Sequence, residues 1–327
     1  MKVHVVIVNF RTADMTLASV RAVVRALEYA GVSYWITVVD NASEDGSFER
    51  LQAQIGPSDV PSPRSSASGQ GRRVEVIASG RNGGFGFGNN VGIRRGLAST
   101  EPAEYFYLLN SDAFPAEDAV KVLIDFMDAH PAVGLAGSYI HGVDDVPHET
   151  AFRFPSLQGE LVERVSFGPL TRWLDDYVVA LPIPTDTVRV DWLAGASMMI
   201  RRKVFDAVGL FDETFFLYYE EVDLCRRALL KGWPTYYVPA SRVAHVGSAS
   251  TGMKDRSRRL PGFYLDSRAY YFRKSHGAAY LAGANAAWIS GQLVRLLRSR
   301  IERKSFDDPP SLLGDFLRHA AGMNRAE

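Results

Sequence analysis

Hydrophobic positions along the chain alternate between short continuous runs and longer runs with helical spacing. Residues 3–8 and 34–39 are β-branched and aromatic runs, typical of strands buried on both faces. Between them, apolar residues recur every three or four positions from Thr12, which can cap a helix, to Gly31, which can end one. Strands alternating with helices in this way predict an α/β fold with a mostly parallel sheet. The same patterns predict further strands at 74–78, 105–109, 191–200 and 235–238, and further helices at 116–129 and 221–231.

Three segments depart from this rhythm. Residues 56–73 are rich in Pro, Ser and Gly, so we interpret them as a flexible surface insertion within a catalytic domain spanning 1–250. Residues 139–187 have no clear pattern. Residues 254–304 carry twelve Lys and Arg against three Asp and Glu, which indicates a basic, helical C-terminal region at 251–327.

Composition narrows the class of protein. The 327 residues are 46% hydrophobic, enough to bury a large core. Because 37 basic residues balance 37 acidic ones, no overall charge attracts nucleic acid, and we expect no nucleic-acid partner. Cys225 is the chain's single cysteine, which excludes a disulfide framework and favours a small buried side chain. The N-terminus enters a strand with no signal-like region before it, so we expect a cytoplasmic protein.

Polar clusters follow three of the predicted strands, at 9–12, 40–45 and 110–112. One Asp after a strand is usually a helix cap or a turn former, and this interpretation suffices for Asp40 alone. In open α/β sheets, however, ligands bind beyond the carboxyl ends of the strands. Three clusters at successive ends therefore predict a ligand site.

The glycine-rich segment 83–90 is not a dinucleotide-binding motif, because Val91 stands where the third glycine would fall. It is not a P-loop either, since no Gly-Lys-Ser/Thr follows. Its glycines permit close approach of the backbone to a ligand, and a helix beginning at Asn89 would present free N–H groups to an anion. The alternative is a structural turn.

Acidic residues supply the candidate chemistry. Asp112 could hold Mg²⁺ or Mn²⁺ against a diphosphate, and His245 could share that cation, although a lone histidine is more often structural. The acids of 220–223 begin a predicted helix, where they could simply cap it. Five bulky apolar or aromatic residues precede them, which favours a partly dry pocket and a general base with a raised pKa.

Taken in order, the segments VIVNF, VVDNASEDGS, NGGFGFGNNVGI, YLLNSDA, DWLAGASMMIRR, VGLFDETFFLYYEEVDLCRR and VAHVGSAST resemble the family 2 glycosyltransferases, whose fold is GT-A. The resemblance runs from Val3 to about His245. Within the family, the chain is most similar to the bacterial rhamnosyltransferase-like branch, which builds surface polysaccharides. The resemblance implies a mixed, mostly parallel sheet flanked by helices, followed here by a C-terminal helical appendage.

The resemblance also implies a reaction and roles for single residues. An acceptor hydroxyl, on a saccharide or a lipid-linked molecule, would attack the sugar of a nucleoside-diphosphate donor and invert the anomeric carbon, with Mg²⁺ or Mn²⁺ assisting. Glu221 would be the base, supported by Glu220 and Asp223. The metal ligands would be Asp112 and His245. The nucleotide sugar would meet Asn9, Asp40, Gly84, Asn90 and Asn110, and the acceptor side would be formed by Trp192, Gly195 and Ala196.

Two positions depart from the family pattern. Asn110 replaces the first acid of the metal motif, which weakens one metal contact, and Glu221 stands where Asp is common. The donor sugar, its base and the acceptor are not determined by these motifs, and rhamnose rests on the branch resemblance alone. Two other functions remain open: a sugar nucleotidyltransferase and a non-catalytic protein that binds sugar nucleotides or polysaccharides.

Residues 277–297 are apolar over roughly one bilayer span, but Asn285, Ser290 and Gln292 interrupt them. Basic residues follow closely. This pattern predicts a helix at the cytoplasmic face of a membrane, where basic side chains meet anionic headgroups. The alternative is an ordinary helix packed on the catalytic domain.

Overall fold

The computed structural model describes residues 1–55, 71–247, 257–303 and 306–323. Strands and helices alternate along the first half of the chain, as the hydrophobic pattern predicts. The strands are β1 (Val3–Asn9), β2 (Tyr34–Asp40), β3 (Arg72–Ala78), β4 (Tyr105–Asn110), β5 (Ala113–Pro115), β6 (Leu135–His141), β7 (Ala151–Phe152), β8 (Val188–Val190), β9 (Trp192–Leu193), β10 (Ser197–Arg201) and β11 (Thr235–His245). The α-helices are α1 (Ala13–Ala30), α2 (Ser47–Ile55), α3 (Gly84–Leu97), α4 (Ala119–Ala129), α5 (Leu157–Val165), α6 (Gly168–Trp173), α7 (Arg202–Val208), α8 (Glu220–Leu230), α9 (Gly262–His276), α10 (Ala278–Glu302) and α11 (Leu312–Ala320).

Within the described residues, one nine-stranded sheet forms the centre of the molecule, in the order β3-β2-β1-β4-β10-β6-β11-β5, with β8 paired to β11. The strands β3, β2, β1 and β4 are mutually parallel, whereas β10 runs antiparallel between β4 and β6. The sheet is therefore mixed and mostly parallel, as predicted. In its register, Asn9 pairs with Asp40 and Val8 pairs with Asn110, so the three polar clusters meet at one edge.

Helices cover both faces of this sheet. On one face, α1, α2 and α4 pack their apolar residues, such as Leu17, Leu51 and Leu123, onto the sheet. On the other face, α3, α7 and α8 do the same, and Cys225 is fully buried there, as predicted. The helical spacing of apolar residues thus identified the buried face of α1 correctly, and Gly31 ends that helix with φ 64°.

Several boundaries differ from the prediction. The glycine-rich segment does not precede a helix at Asn89, because α3 already begins at Gly84. The insertion predicted at 56–73 ends earlier, since Arg72 and Arg73 belong to β3, and its residues 56–70 lie outside the described residues. Composition does not show where the insertion ends and β3 begins. Arg72 and Arg73 are charged, yet they belong to β3 because they pair with β2 at the edge of the sheet.

The predicted bounds of several other elements also differ from the observed ones. The predicted strand 191–200 is two strands, β9 and β10, separated by a turn at 194–196. The predicted helix 116–129 begins at Ala119, and β11 continues past Val238 to His245. The Thr12 side chain makes no capping bond to α1, because its hydroxyl bonds Asn9 and Ser111 instead. Residues 139–187, where the sequence pattern predicts no element, contain α5 and α6.

The C-terminal helices pack against the sheet-bearing part of the chain. Tyr271 of α9 and Leu281 of α10 share a hydrophobic cluster with Phe215 and Val222. The α10 helix lies against α5 so closely that a Cβ at Gly291 would come within 3.0 Å of the carbonyl oxygen of Leu161. One face of α10 therefore packs as the alternative for 277–297 requires. In the described part of the chain, no helix combines the length and apolar character needed to cross a bilayer.

Candidate active site

The ends of β1 and β2 are joined by a buried hydrogen-bond network around Asp40. Asn9 Nδ2 donates to Asp40 Oδ1 at 2.7 Å, and Ser43 donates to Asp40 through both its hydroxyl and its backbone N–H. The amide oxygen of Asn9 accepts a bond from Thr16, so Asn9 is occupied inside the protein and orients Asp40. Asp40 Oδ2 receives only the Ser43 N–H among the described contacts, which leaves it capacity as an acceptor.

The glycine-rich N-terminus of α3 is pressed against the segment that precedes α8. A Cβ at Gly84, whose φ is 85°, would collide with the carbonyl oxygen of Phe216, which accepts the N–H of Phe85 at 3.1 Å. Asn90 exchanges hydrogen bonds with the backbone of Phe211 at 2.9 and 3.0 Å. Gly84 and Asn90 thus hold α3 to the chain that leads into α8.

Asn110, Asp112 and His245 come together at the end of β4. The pairing of β5 with β11 places Ala113 opposite His245, and His245 Nε2 lies 3.0 Å from Asp112 Oδ1 and 3.3 Å from Asn110 Nδ2. A neutral imidazole cannot donate to Asp112 and accept from Asn110 through the same nitrogen. Gly247 N–H holds the second oxygen of Asp112 at 3.0 Å. Among the residues with described positions, no three His, Cys, Asp or Glu side chains group as a metal site.

The three acids at the start of α8 have different surroundings. Glu220 is buried, and its Oε2 has no hydrogen-bond partner. Glu221 is half-buried and lines a large cavity. Asp223 is buried and binds Lys274 of α9 at 2.6 Å and Arg227 at 2.7 Å. Asp223 thus connects α8 to α9, whereas Glu221 faces the cavity.

Both glutamates have raised pKa values. Burial, and then the neighbouring carboxylate of Glu221, raise the pKa of Glu220 well above its ordinary value. Burial also raises the pKa of Glu221, and the hydrogen bond from the Gly195 backbone opposes that rise. Two adjacent carboxyl groups of this kind favour a state in which one of them keeps its proton.

The turn between β9 and β10 connects the two halves of the site. The N–H of Gly195 donates to Glu221 Oε1 at 3.2 Å, and the carbonyl oxygen of Ala196 accepts the N–H of Asn110 at 3.1 Å. Two consecutive residues therefore contact Glu221 on one side and the Asp112 cluster on the other. Trp192, just before this turn, stacks on Phe152 with ring centroids 4.2 Å apart.

A cavity of about 630 Å³ extends from this turn to the C-terminal helices. At one end it is lined by Glu221, Ala194 and Trp192, and at the other by Trp288 and Leu312. Its size lies in the range of sites that enclose small ligands. A polar cluster and a large cavity thus meet on opposite sides of the 194–196 turn.

Sequence reasoning did not identify Ser43, Asn41 or Arg268. Ser43 completes the bonds to Asp40, and Asn41 Nδ2 donates to the carbonyl oxygen of Gly84 at 3.1 Å. Both lie within the polar cluster 40–45, so that cluster was the available signal. Arg268, buried at 3% exposure, pairs with Glu160 at 2.9 Å in the cavity wall. No local pattern connects these two residues, which are 108 positions apart.

The chain matches the family described as "Glycosyltransferase like family 2" over residues 2–260. It therefore belongs to the family 2 glycosyltransferases, as the motif order predicts. Its fold is that of the GT-A glycosyltransferases. Over 98% of this chain and 57% of the other, it superposes with a TM-score of 0.57 on the crystal structure of GalNAc-T7 with UDP, GalNAc and Mn²⁺, at 15% identity.

Two relatives of this chain are rhamnosyltransferases. The chain is 29% identical to the N-acetylglucosaminyl-diphospho-decaprenol L-rhamnosyltransferase of Mycobacterium tuberculosis over 241 residues, which is 71% of this chain and 74% of the relative. It is 30% identical to the rhamnosyltransferase WbbL of Escherichia coli K12 over 165 residues, which is 50% of this chain and 60% of that protein. The rhamnosyltransferase-like resemblance is thus confirmed.

Proposed function

We propose that this protein is an inverting, metal-assisted glycosyltransferase that moves a deoxyhexose such as rhamnose from a nucleoside-diphosphate donor to a lipid-diphosphate-linked saccharide. The observation that carries this proposal is the 194–196 turn, which contacts Glu221 through Gly195 and Asn110 through Ala196. A donor diphosphate at the Asp112 cluster and an acceptor in the cavity would meet across this turn.

Glu221 is our candidate for the general base. It opens onto the cavity, and the Gly195 N–H fixes its Oε1. A base in a partly dry pocket has a pKa closer to neutrality, which favours proton transfer from a sugar hydroxyl. The acceptor oxygen would then attack the anomeric carbon from the side opposite the leaving diphosphate, so inversion follows with no covalent enzyme intermediate. Glu220 and Asp223 would support this residue from within the fold.

Asp112, His245 and Asn110 are our candidates for a Mg²⁺ or Mn²⁺ site. A carboxylate and an imidazole can both bind Mn²⁺, and His245 Nε2 lies within hydrogen-bond distance of Asp112 Oδ1 and of the Asn110 amide. The Asn110 side chain lies beside them, and its amide oxygen would be a further possible ligand. Such an ion would neutralise the charge that develops on the leaving diphosphate. The Mn²⁺ in the GalNAc-T7 structure supports the use of a divalent cation, not the choice of these ligands.

The donor's nucleoside would lie beside Asp40, whose Oδ2 can accept a hydrogen bond from the base. Asn9, in this proposal, acts by holding Asp40, and Gly84 with Asn90 act by holding the wall formed by α3. Trp192 and Gly195 would face the acceptor, whereas Ala196 is buried and contacts Asn110 on the donor side of the turn. The lipid-diphosphate acceptor is inferred from the name of the Mycobacterium tuberculosis relative.

The outer face of α10 supports contact with a membrane surface. Leu293, Leu297 and Ile301, spaced four residues apart, are 53%, 58% and 72% exposed, and Arg300 lies on the same face. An exposed apolar stripe beside basic side chains fits the interface of an anionic bilayer. We infer that α10 packs on the enzyme through one face and rests on lipid through the other, which would present the active site to a lipid-linked acceptor.

Release of nucleoside diphosphate from a panel of nucleotide sugars, with Mn²⁺ and with or without a lipid-diphosphate acceptor, tests the proposal. We expect acceptor-dependent release from one donor, with a glycosylated lipid as the product. Formation of pyrophosphate without sugar transfer would indicate a nucleotidyltransferase, and donor binding without turnover a binding protein.

A further inference from the structure

The end of the cavity remote from Glu221 carries basic side chains. Arg164 of α5 and Arg259 line this end together with Trp288. The Arg164 guanidinium lies 5.6 Å from the centre of the Trp288 ring, and among the described residues no carboxylate is within ion-pair distance of it. Arg259 bonds the Ser311 hydroxyl at 3.1 Å and lies 4.0 Å from Asp315, so it retains donors for a ligand.

Besides Glu221, two carboxyl groups line the cavity and would oppose an anion, but the charge of each is offset or screened. Glu160 forms a buried ion pair with Arg268 at 2.9 Å. The side chain of Glu163 is exposed to solvent, which screens its charge, and the neighbouring Arg164 supplies an opposite charge. The remaining lining of this end is therefore positive.

The geometry points to a diphosphate subsite: we propose that Arg164 and Arg259 bind the diphosphate of a lipid-linked acceptor, whose sugar extends toward Glu221. The assignment deepens the proposed function and rests on it. A cavity of about 630 Å³ can enclose a hexose with its diphosphate, since small-ligand sites span roughly 300–1,000 Å³. Guanidinium groups bind phosphate oxygens through paired N–H donors. The lipid would leave near the C-terminal helices, which also carry the exposed stripe of α10.

Binding of geranyl diphosphate, measured by isothermal titration calorimetry without donor and without divalent metal, tests the subsite directly. We expect Arg164→Met and Arg259→Met each to weaken binding about ten-fold or more, because each removes a charged hydrogen-bond donor. The matched control is Arg172→Met, an exposed arginine in α6 that should leave binding unchanged. Geranyl monophosphate should bind more weakly than the diphosphate.

Two results would overturn the subsite. If Asp112→Ala abolishes binding while both arginine variants retain it, the diphosphate occupies the donor side. If geraniol binds as well as geranyl diphosphate, the cavity recognises only the lipid. Because the measurement needs no turnover, it separates the subsite from the reaction: arginine-dependent binding without sugar transfer would refute the proposed function and leave the subsite standing. If the protein transfers sugar to a lipid-linked acceptor but does not bind geranyl diphosphate, the proposed function stands and the subsite is refuted.

Discussion

The backbone N–H of Gly195 donates to Oε1 of Glu221 at 3.2 Å, and a Cβ at position 195 would lie 3.0 Å from that same oxygen. The same Cβ would lie 2.8 Å from Cζ of Phe85. Position 195 therefore holds a glycine because the carboxylate and an aromatic ring both approach its backbone. This contact fixes where Glu221 points, and the first prediction follows from it.

Replacing Gly195 with Ala should move Glu221 or Phe85 by a few tenths of an ångström or more. We expect kcat to fall by about 10- to 100-fold, because small displacements of a catalytic group are costly. The donor KM should change little, since the donor side is held by other residues. Gly168→Ala, where a Cβ would meet nothing within 4 Å, is the matched control. A Gly195→Ala enzyme with full kcat would contradict the prediction that the close approach at position 195 fixes a catalytic Glu221.

The identity of the base is tested by two isosteric variants. Glu221→Gln should lower kcat by about 10²- to 10⁴-fold with donor affinity nearly unchanged, because it removes the proton acceptor and keeps the shape. Glu220→Gln should be milder, since adjacent helical residues point about 100° apart and Glu220 lies in the protein interior. Steady-state kinetics on both variants give the answer. An inactive Glu220→Gln beside an active Glu221→Gln would reverse the assignment.

The metal assignment predicts that Asp112→Ala abolishes turnover and His245→Ala reduces it substantially. The Asp112 carboxylate and the His245 imidazole lie side by side at the proposed metal site. A water molecule that replaced either ligand would bind the ion more weakly. Turnover should also require Mg²⁺ or Mn²⁺ and stop in chelator. Full activity of both variants in excess chelator would exclude a metal at this site.

The buried Glu220 predicts a stability that depends on pH. Because its pKa is higher in the folded protein than in the unfolded chain, its contribution to stability is present below about pH 4.5 and is lost as pH rises through the folded-state pKa. Glu220→Gln mimics the protonated form and should remove this loss. Thermal melts from pH 4.5 to 8.5 should therefore show the Tm of the variant rising relative to the Tm of the wild type as pH increases. The exposed Glu101→Gln should show no such trend, and parallel curves for Glu220→Gln would contradict the prediction.

Membrane contact through α10 predicts co-sedimentation with anionic liposomes at low salt. Replacing Leu293, Leu297 and Ile301 with Gln should reduce the bound fraction about ten-fold or more, since each loses apolar surface in the interface. Exposed apolar residues elsewhere, Val143 and Leu230 at 72% and 69% exposure, serve as controls when changed in the same way. If the wild type does not bind at low salt, or if both sets of variants bind like it, the stripe does not contact lipid.

The sequence by itself determined the alternation of strands and helices in the first half of the chain and the face that α1 buries. Both follow from local periodicity, because side chains alternate along a strand and return every 3.6 residues on a helix. It also identified the polar clusters after β1, β2 and β4. Their meeting at one edge followed from a general property of parallel strands, and the register of Asn9 with Asp40 confirms it.

Only the tertiary structure decided how distant segments meet. His245 reaches Asp112 across 133 positions because β5 pairs with β11, and no local pattern encodes that pairing. The contact of Gly195 with Glu221, the start of α3 at Gly84 and the cavity toward Trp288 likewise depend on which surfaces pack. Whether Leu293 is covered or exposed depends on the rotation of α10 against α5. Periodicity fixes a residue's face within its own element, whereas packing between elements fixes what that face touches.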